Sequence, residues 1–136
     1  MWTYDQLKSP LRVNTLSNPA SETSLKGLKT SLEILKRWGI NESQALSILN
    51  ISSAELEQLP SSKVSSEQLV RTSCILNIHA ALRTLFNNQS NVYGFMTMQN
   101  HSSFFEGRTP LSFIASGELA ALEQVAEHLT ALSIGN

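Results

Sequence analysis

The sequence predicts an all-α protein. Apolar residues recur at spacings of three and four along most of the chain, which is the period of a helix with one buried face. No stretch shows the alternating, β-branched pattern that is typical of a strand. Helix-capping patterns, in which a polar side chain precedes a Glu or Gln by three residues, occur at Asn41-x-x-Gln44, Ser52-x-x-Glu55 and Ser65-x-x-Gln68. With 136 residues and 41% hydrophobic content, the chain is long enough for one compact core.

The first helix is expected from Ser21 to Trp38. Residues 1–20 are predicted to be irregular because Pro10 and Pro19 disfavour a helix there. The apolar face of the helix consists of leucines at positions 25, 28, 32 and 35. Gly39 then supplies the stop, since glycine adopts the left-handed conformation that ends many helices.

The capping patterns divide the middle of the chain into three helices, predicted at Glu42–Leu49, Ser53–Leu59 and Ser66–Phe86. The first two have the shape of a helix-turn-helix, with Asn50 at a turn position that commonly needs a positive φ. The third has an unusually wide apolar stripe, which Leu69, Leu76 and Ala80 broaden. That width predicts both an internal core and a homodimer interface.

Three shorter helices are expected in the last third of the chain. Ser90 is predicted to cap a short helix that runs through Met96. Thr109 and Pro110 read as the N-cap and first residue of a helix that ends at Gly117. A final helix is predicted from Glu118 to about Leu132. Glycines and prolines give this region a strongly specified shape without visible chemistry, which favours a surface for another protein.

Composition and motifs favour a protein that is not an enzyme and has no cofactor. Cys74 is the only cysteine, so neither an internal disulfide nor a cysteine-based metal site is expected. Cys74 and His79 diverge around one helix, and no His, Asp or Glu cluster has metal-ligand spacing. His128 lies on the final helix near two glutamates and is expected to be solvated. No apolar run reaches the roughly 20 residues of a membrane helix, and the N-terminus lacks the apolar core of a signal peptide. We therefore expect a cytoplasmic protein.

The helix-turn-helix has two readings: DNA recognition by its second helix, or a helical hairpin that serves only as scaffold. Three glutamates and no Lys or Arg lie between Trp38 and Ser62, and this acidic segment would repel phosphates. Basic residues at the flanks and polar residues on the hairpin are the candidate DNA contacts, namely Lys36, Arg37, Ser52, Ser53, Gln58, Lys63 and Arg71.

The order of these elements resembles a known family. The runs LEILKRWGINESQALSILNIS and SSEQLVRTSCILNIHAALRTLF are followed by NVYGFM, NH, FF and GRTPLSFIASGELAALEQV. Over about residues 25–132 this order is similar to the MbcA/ParS/Xre antitoxins. GRTPL, together with the Ser-Gly pair at Ser116 and Gly117, is the most specific part of the resemblance.

The resemblance implies a bacterial type II antitoxin whose partner is a RES-domain toxin that consumes NAD. The antitoxin would act by covering the NAD pocket of the toxin, with autoregulatory binding to promoter DNA. Three segments are implied: an irregular N-terminal segment (1–20), an Xre-like helical domain with a helix-turn-helix (21–88), and a C-terminal toxin-binding domain (89–136). The matched toxin-binding positions are Asn91, Tyr93, Asn100, His101, Phe105, Gly107 and Arg108.

Two functions from different classes therefore remain open. One is a protein inhibitor that neutralises a toxin, and the other is a stand-alone helix-turn-helix transcriptional regulator. The acidic hairpin and the strongly specified C-terminal third both favour the inhibitor.

Overall fold

The computed structural model describes residues 21–59 and 63–135, and within them the fold is all-α, as predicted. A 3₁₀ turn, Phe95–Thr97, follows the fifth helix. The helices are α1 (Glu22–Arg37), α2 (Glu42–Leu49), α3 (Ser53–Glu57), α4 (Ser66–Leu85), α5 (Gln89–Gly94), α6 (Pro110–Ile114) and α7 (Leu119–Gly135). The prediction for residues 1–20 lies outside the described residues.

The helix starts follow the capping chemistry of the sequence, with one exception. The side chains of Ser21, Asn41, Ser52, Ser65 and Thr109 each accept a hydrogen bond from a backbone N–H in the first turn of their helix. The predicted cap at Ser90 is wrong. Asn88 caps α5 instead, because its side chain accepts from the backbone N–H of Asn91 at 2.8 Å. Asn and Ser are both good caps, and the extended backbone of Asn88 decides between them.

Two helix ends rest on left-handed residues, as expected. Gly39 has φ +87° after α1, and Asn50 has φ +55° in the turn between α2 and α3. Other predicted ends are displaced by a few residues. Helix α4 ends at Leu85 because Phe86 is extended, and α6 ends at Ile114, before Gly117. Helix α7 continues to Gly135, three residues beyond the prediction.

Helix α4 is the centre of the molecule, and its wide apolar stripe is used within the chain. It packs against α7 and also against α1. Leu69 is fully buried and Leu76 is 5% exposed, so neither is available to a second copy. The prediction that Leu69 and Leu76 contribute to a homodimer interface is therefore wrong. Only Ala80, which is half-buried, remains at the surface.

One hydrophobic core crosses the expected boundary between residues 88 and 89. Its buried members run from Leu28 in α1 to Leu129 in α7 and form a single cluster. Phe105 and Ile114, from the C-terminal third, belong to the same cluster as Trp38. The two halves are thus packed as one unit.

The buried guanidinium of Arg71 connects the helical hairpin, formed by α2 and α3, to the C-terminal third. Its Nη1 donates to the carbonyl oxygen of Ile48 at 2.9 Å and to that of Gly117 at 2.6 Å. Its Nε donates to Glu67 Oε2 at 2.9 Å. Arg71 is only 7% exposed, so the prediction that it contacts DNA is wrong. These carbonyls need a donor because Ile48 lies in the last turn of α2 and Gly117 lies in the turn between α6 and α7, where no helical N–H follows to bond them.

The turn of the hairpin is also fixed to α4. Gln68 Nε2 donates to the carbonyl oxygen of Asn50 at 2.8 Å, and Asn50 Nδ2 donates to Glu67 Oε2 at 3.0 Å. Gly117 lies directly against α2, where a Cβ would be 3.2 Å from Ser47 Oγ. The hairpin, α4 and the start of α7 are therefore locked in one arrangement.

We expect Arg71→Met to lower the free energy of unfolding by about 2–4 kcal/mol, because it leaves the buried carbonyl of Ile48 and the part-buried carbonyl of Gly117 without a donor. Urea denaturation followed by circular dichroism measures this change. Glu67→Gln is the matched control. It removes only the half-exposed partner of the pair, whose side chain is 47% exposed, and should cost less than about 1 kcal/mol. Equal losses in the two variants would contradict the bridging role of Arg71.

Candidate functional site

Residues 98–109 form a loop that is closed by main-chain hydrogen bonds. An isolated antiparallel bridge pairs Asn100 with Arg108. The N–H of Asn100 donates to the carbonyl of Arg108 at 3.1 Å, and the N–H of Gly107 donates to the carbonyl of Asn100 at 2.7 Å. The side chain of Asn100 accepts from the N–H of Ser102 at 2.9 Å. The loop thus has a specified shape, as the sequence predicted.

Both the backbone conformation at residue 107 and the short distance to His101 favour glycine there. Its φ is +84°, and it follows Glu106 at φ +52°. A Cβ on Gly107 would be 3.3 Å from Nδ1 of His101, which is tighter than ordinary contact. Gly107 therefore lets the exposed His101 ring lie against the main chain at the base of the loop.

Aromatic rings support the loop from beneath. Phe105 is completely buried, so its side chain packs in the core and is not exposed to a partner. The Phe104 ring is stacked on that of His128, with centroids 4.1 Å apart and planes at 7°. The expectation that His128 is solvated is therefore wrong. Burial lowers its pKa, which favours a neutral imidazole within the stack.

Arg108 is held by an aromatic ring. Its guanidinium lies over Phe113, with Cζ 4.2 Å from the ring centroid. The backbone N–H of Arg108 donates to the carbonyl oxygen of Phe105 at 3.0 Å. The exposed guanidinium is therefore oriented while its edge faces solvent.

Tyr93 belongs to a second group of side chains, which comes from three helices. Its ring is stacked on His79 of α4 at 5.2 Å and lies under the Arg37 guanidinium of α1 at 5.1 Å. Asn91 lies on the same short helix as Tyr93 and is exposed. The loop thus gathers Asn100, His101, Phe105, Gly107 and Arg108, whereas Asn91 and Tyr93 lie on α5.

The fold engages some of the predicted DNA contacts and leaves others exposed. Ser52 is occupied as a cap of α3, a helix of only five residues. Arg37 is paired with Glu33 at 3.1 Å and also covers Tyr93. Lys36, Ser53, Gln58 and Lys63 are exposed. Arg37 and Arg71 make their contacts away from α3, whereas Lys29 and Lys36 of α1 line a surface depression together with Leu56 of α3.

The described residues do not meet the requirements of a reactive thiol, a three-ligand metal site or a membrane helix. Burial raises the pKa of the Cys74 thiol to about 12, so it stays protonated and a poor nucleophile. Within residues 21–59 and 63–135, no three His, Cys, Asp or Glu side chains are grouped so as to hold a metal ion. None of the helices in this part of the chain is both long and apolar enough to cross a membrane.

Comparison with known proteins assigns the C-terminal part of the chain. Residues 81–135 match the family model described as the antitoxin Xre/MbcA/ParS C-terminal toxin-binding domain. No curated protein and no solved structure matches the chain. The matched segment begins within α4 and contains α5, the loop at 98–109, α6 and α7. The family resemblance is thus confirmed for this segment, which has the sequence of a toxin-binding antitoxin domain.

We expect Gly107→Ala to destabilise the protein by about 1–2 kcal/mol, since alanine is strained at positive φ and its Cβ would push against His101. Gly94→Ala is the matched control. Gly94 ends α5 with φ −80°, and no neighbouring atom lies within 4 Å of the position that a Cβ would take, so alanine should be neutral or slightly stabilising there. Thermal unfolding of the two variants separates these outcomes. A Gly107→Ala variant as stable as the wild type would contradict the strained loop.

Proposed function

We propose that this chain, whose residues 81–135 match an Xre/MbcA/ParS toxin-binding domain, is an antitoxin that neutralises a RES-domain toxin. It would do so by covering the toxin's NAD pocket, and it contributes no chemistry of its own. The loop at 98–109 carries the proposal. It is exposed, internally bonded and supported by buried rings, so little further ordering of its backbone is needed on binding.

In this proposal the loop and α5 supply different kinds of contact. His101 and Arg108 are exposed and oriented, and both can donate hydrogen bonds to a partner. Asn91 and the half-buried Tyr93 extend the surface along α5. Phe105 and Gly107 act indirectly, because one packs beneath the loop and the other fixes its backbone.

Autoregulatory DNA binding is the weaker part of the proposal, and a stand-alone regulator is the alternative function. The helix-turn-helix geometry itself favours it, since Asn50 is left-handed and α2 and α3 follow as expected. Against it stand the short α3, the burial of Arg71 and the acidic residues of the hairpin. We therefore place promoter binding second and assign it to a homodimer or a toxin complex, where two weak surfaces add by avidity.

Co-expression with the cognate toxin should restore growth, and Arg108→Glu should abolish that protection because it reverses the charge of an oriented contact at the covered pocket. Ser53→Glu is the control, since it changes the charge of α3 and leaves the loop untouched. Growth assays and co-purification measure both variants. Full protection by Arg108→Glu, or by a fragment that ends at Ser90, would contradict the assigned surface.

Free antitoxin should bind its own promoter weakly, with an affinity that collapses between about 50 and 200 mM salt, because few phosphates are neutralised. Lys36→Ala and Lys63→Ala should weaken the binding further, whereas Arg71 substitutions should act only through folding. Gel shifts at two salt concentrations test this. Tight, salt-resistant and sequence-specific binding by the free protein would favour the regulator instead.

A further inference from the structure

A basic and aromatic cluster lies where α1, α4 and α5 meet. Its centre is the stack of His79 on Tyr93, with centroids 5.2 Å apart and planes at 28°. Arg37 covers the Tyr93 ring from the end of α1. Arg83 follows His79 by one helical turn on α4, so both side chains project from one face. We call these four residues the Tyr93 cluster.

The Tyr93 cluster borders two depressions in the surface. One has a volume of about 510 Å³ and is lined by His79, Arg83 and Tyr93 together with the polar segment 87–89. The other has a volume of about 500 Å³ and is lined by His79, Arg83 and residues of α1 and α4. His79 and Arg83 therefore separate two recesses in which a partner side chain has room to enter.

The cluster has an excess of positive charge. In the part of the chain that the structure describes, Glu33 is the carboxylate that pairs with it, and it bonds Nε of Arg37 at 3.1 Å. Arg83 is exposed and forms no ion pair with a described residue. Nδ1 of His79 is buried and has no hydrogen-bond partner among the described residues. The cluster thus has two guanidinium groups and an imidazole with an unsatisfied nitrogen, and Glu33 pairs with one of the guanidinium groups.

We infer that the Tyr93 cluster binds a carboxylate of the toxin, supplied by an Asp or Glu side chain that inserts beside Arg83. The inference rests on the proposed function, because the toxin provides the carboxylate. A guanidinium matches the planar geometry of a carboxylate and binds it through two parallel hydrogen bonds. The amide side chains at 87–89 line the same recess and add donors.

A carboxylate fits this site better than the phosphates of DNA. Duplex DNA presents a regular series of charges and is bound by several separated cations. The Tyr93 cluster is compact, and Glu33 lies beside it. The packing of Arg37 on an aromatic ring also limits its motion, which reduces the entropy lost on binding one fixed group.

Occupation of the site should be linked to protonation of His79. Burial, followed by the charges of Arg83 and Arg37, lowers the pKa of His79 in the free chain, so its imidazole is neutral near pH 7. The groups that face it are Arg37 from α1, Arg83 from α4 and the Tyr93 ring from α5. A bound carboxylate offsets the two positive charges and raises that pKa. Binding then takes up a proton and strengthens as the pH falls from 8 towards 6.

Calorimetric titration of the full chain with a catalytically inactive cognate toxin tests the inference. Arg83→Glu should raise Kd by about tenfold or more at pH 7, because it opposes the incoming carboxylate with a like charge. Lys26→Glu is the matched control. It makes the same charge change on α1 about 16 Å along the helix axis from Arg37, and its Kd should stay within about twofold of the wild type.

The pH dependence supplies a second readout that a purely structural role would not alter. The affinity of the wild type should increase from pH 8 to pH 6, and His79→Gln should flatten this increase while urea denaturation shows a folded protein. A Kd for Arg83→Glu equal to that of the wild type would overturn the inference. A loss of duplex DNA binding by Arg83→Glu with toxin binding intact would also overturn it, since the site would then serve nucleic acid.

A toxin-free measurement separates this inference from the proposed function. Titration of the chain with a hexaglutamate peptide, followed by NMR, should shift the His79 imidazole signals in the wild type and not in Arg83→Glu. If the toxin does not bind but the peptide shifts His79, the proposed function fails and the carboxylate site stands. If the toxin binds with no effect of Arg83→Glu and the peptide leaves His79 unchanged, the carboxylate site fails alone.

Discussion

The buried guanidinium of Arg71 is the constraint on which the arrangement of this molecule depends. Arg71 bonds three groups from different parts of the chain: the carbonyl of Ile48 at the end of α2, the carbonyl of Gly117 in the turn before α7, and the carboxylate of Glu67 in the first turn of α4. Without a donor, the carbonyl of Ile48 would be buried and unpaired and that of Gly117 partly so, which is costly. A single arginine satisfies both and keeps a half-exposed carboxylate as its counter-ion. The hairpin and the C-terminal third are therefore held in one fixed relation.

That fixed relation explains why the hairpin and the loop at 98–109 share one core. Gly117 approaches Ser47 so closely that a Cβ would be 3.2 Å from its Oγ, and α7 packs against α4. The loop, α7 and the hairpin therefore belong to one packed unit. The left-handed Asn50, bonded to Gln68, makes the turn itself part of this rigid framework.

The surface is divided by chemistry as well as by shape. The loop at 98–109 presents polar groups above a base of stacked rings, and its backbone bonds leave little freedom to rearrange. The Tyr93 cluster presents positive charge because α1 and α4 each contribute a guanidinium group to it. The hairpin is acidic and polar. Each region therefore suits a different partner chemistry, and only the loop and the Tyr93 cluster combine exposure with orientation.

The sequence by itself determined the helical class, four of the helix caps, the left-handed turn at Asn50 and the specified loop, because these depend on local backbone chemistry. It also carried the family resemblance over residues 81–135. It did not reveal that Arg71 is buried, that Phe104 stacks on His128, or that His79 stacks on Tyr93 beside Arg83. Those facts depend on which helix faces which, and residues as far apart as Arg71 and Gly117 have no shared local pattern. Only packing of the whole chain, which places α1, α4 and α5 side by side, decided where its charges gather.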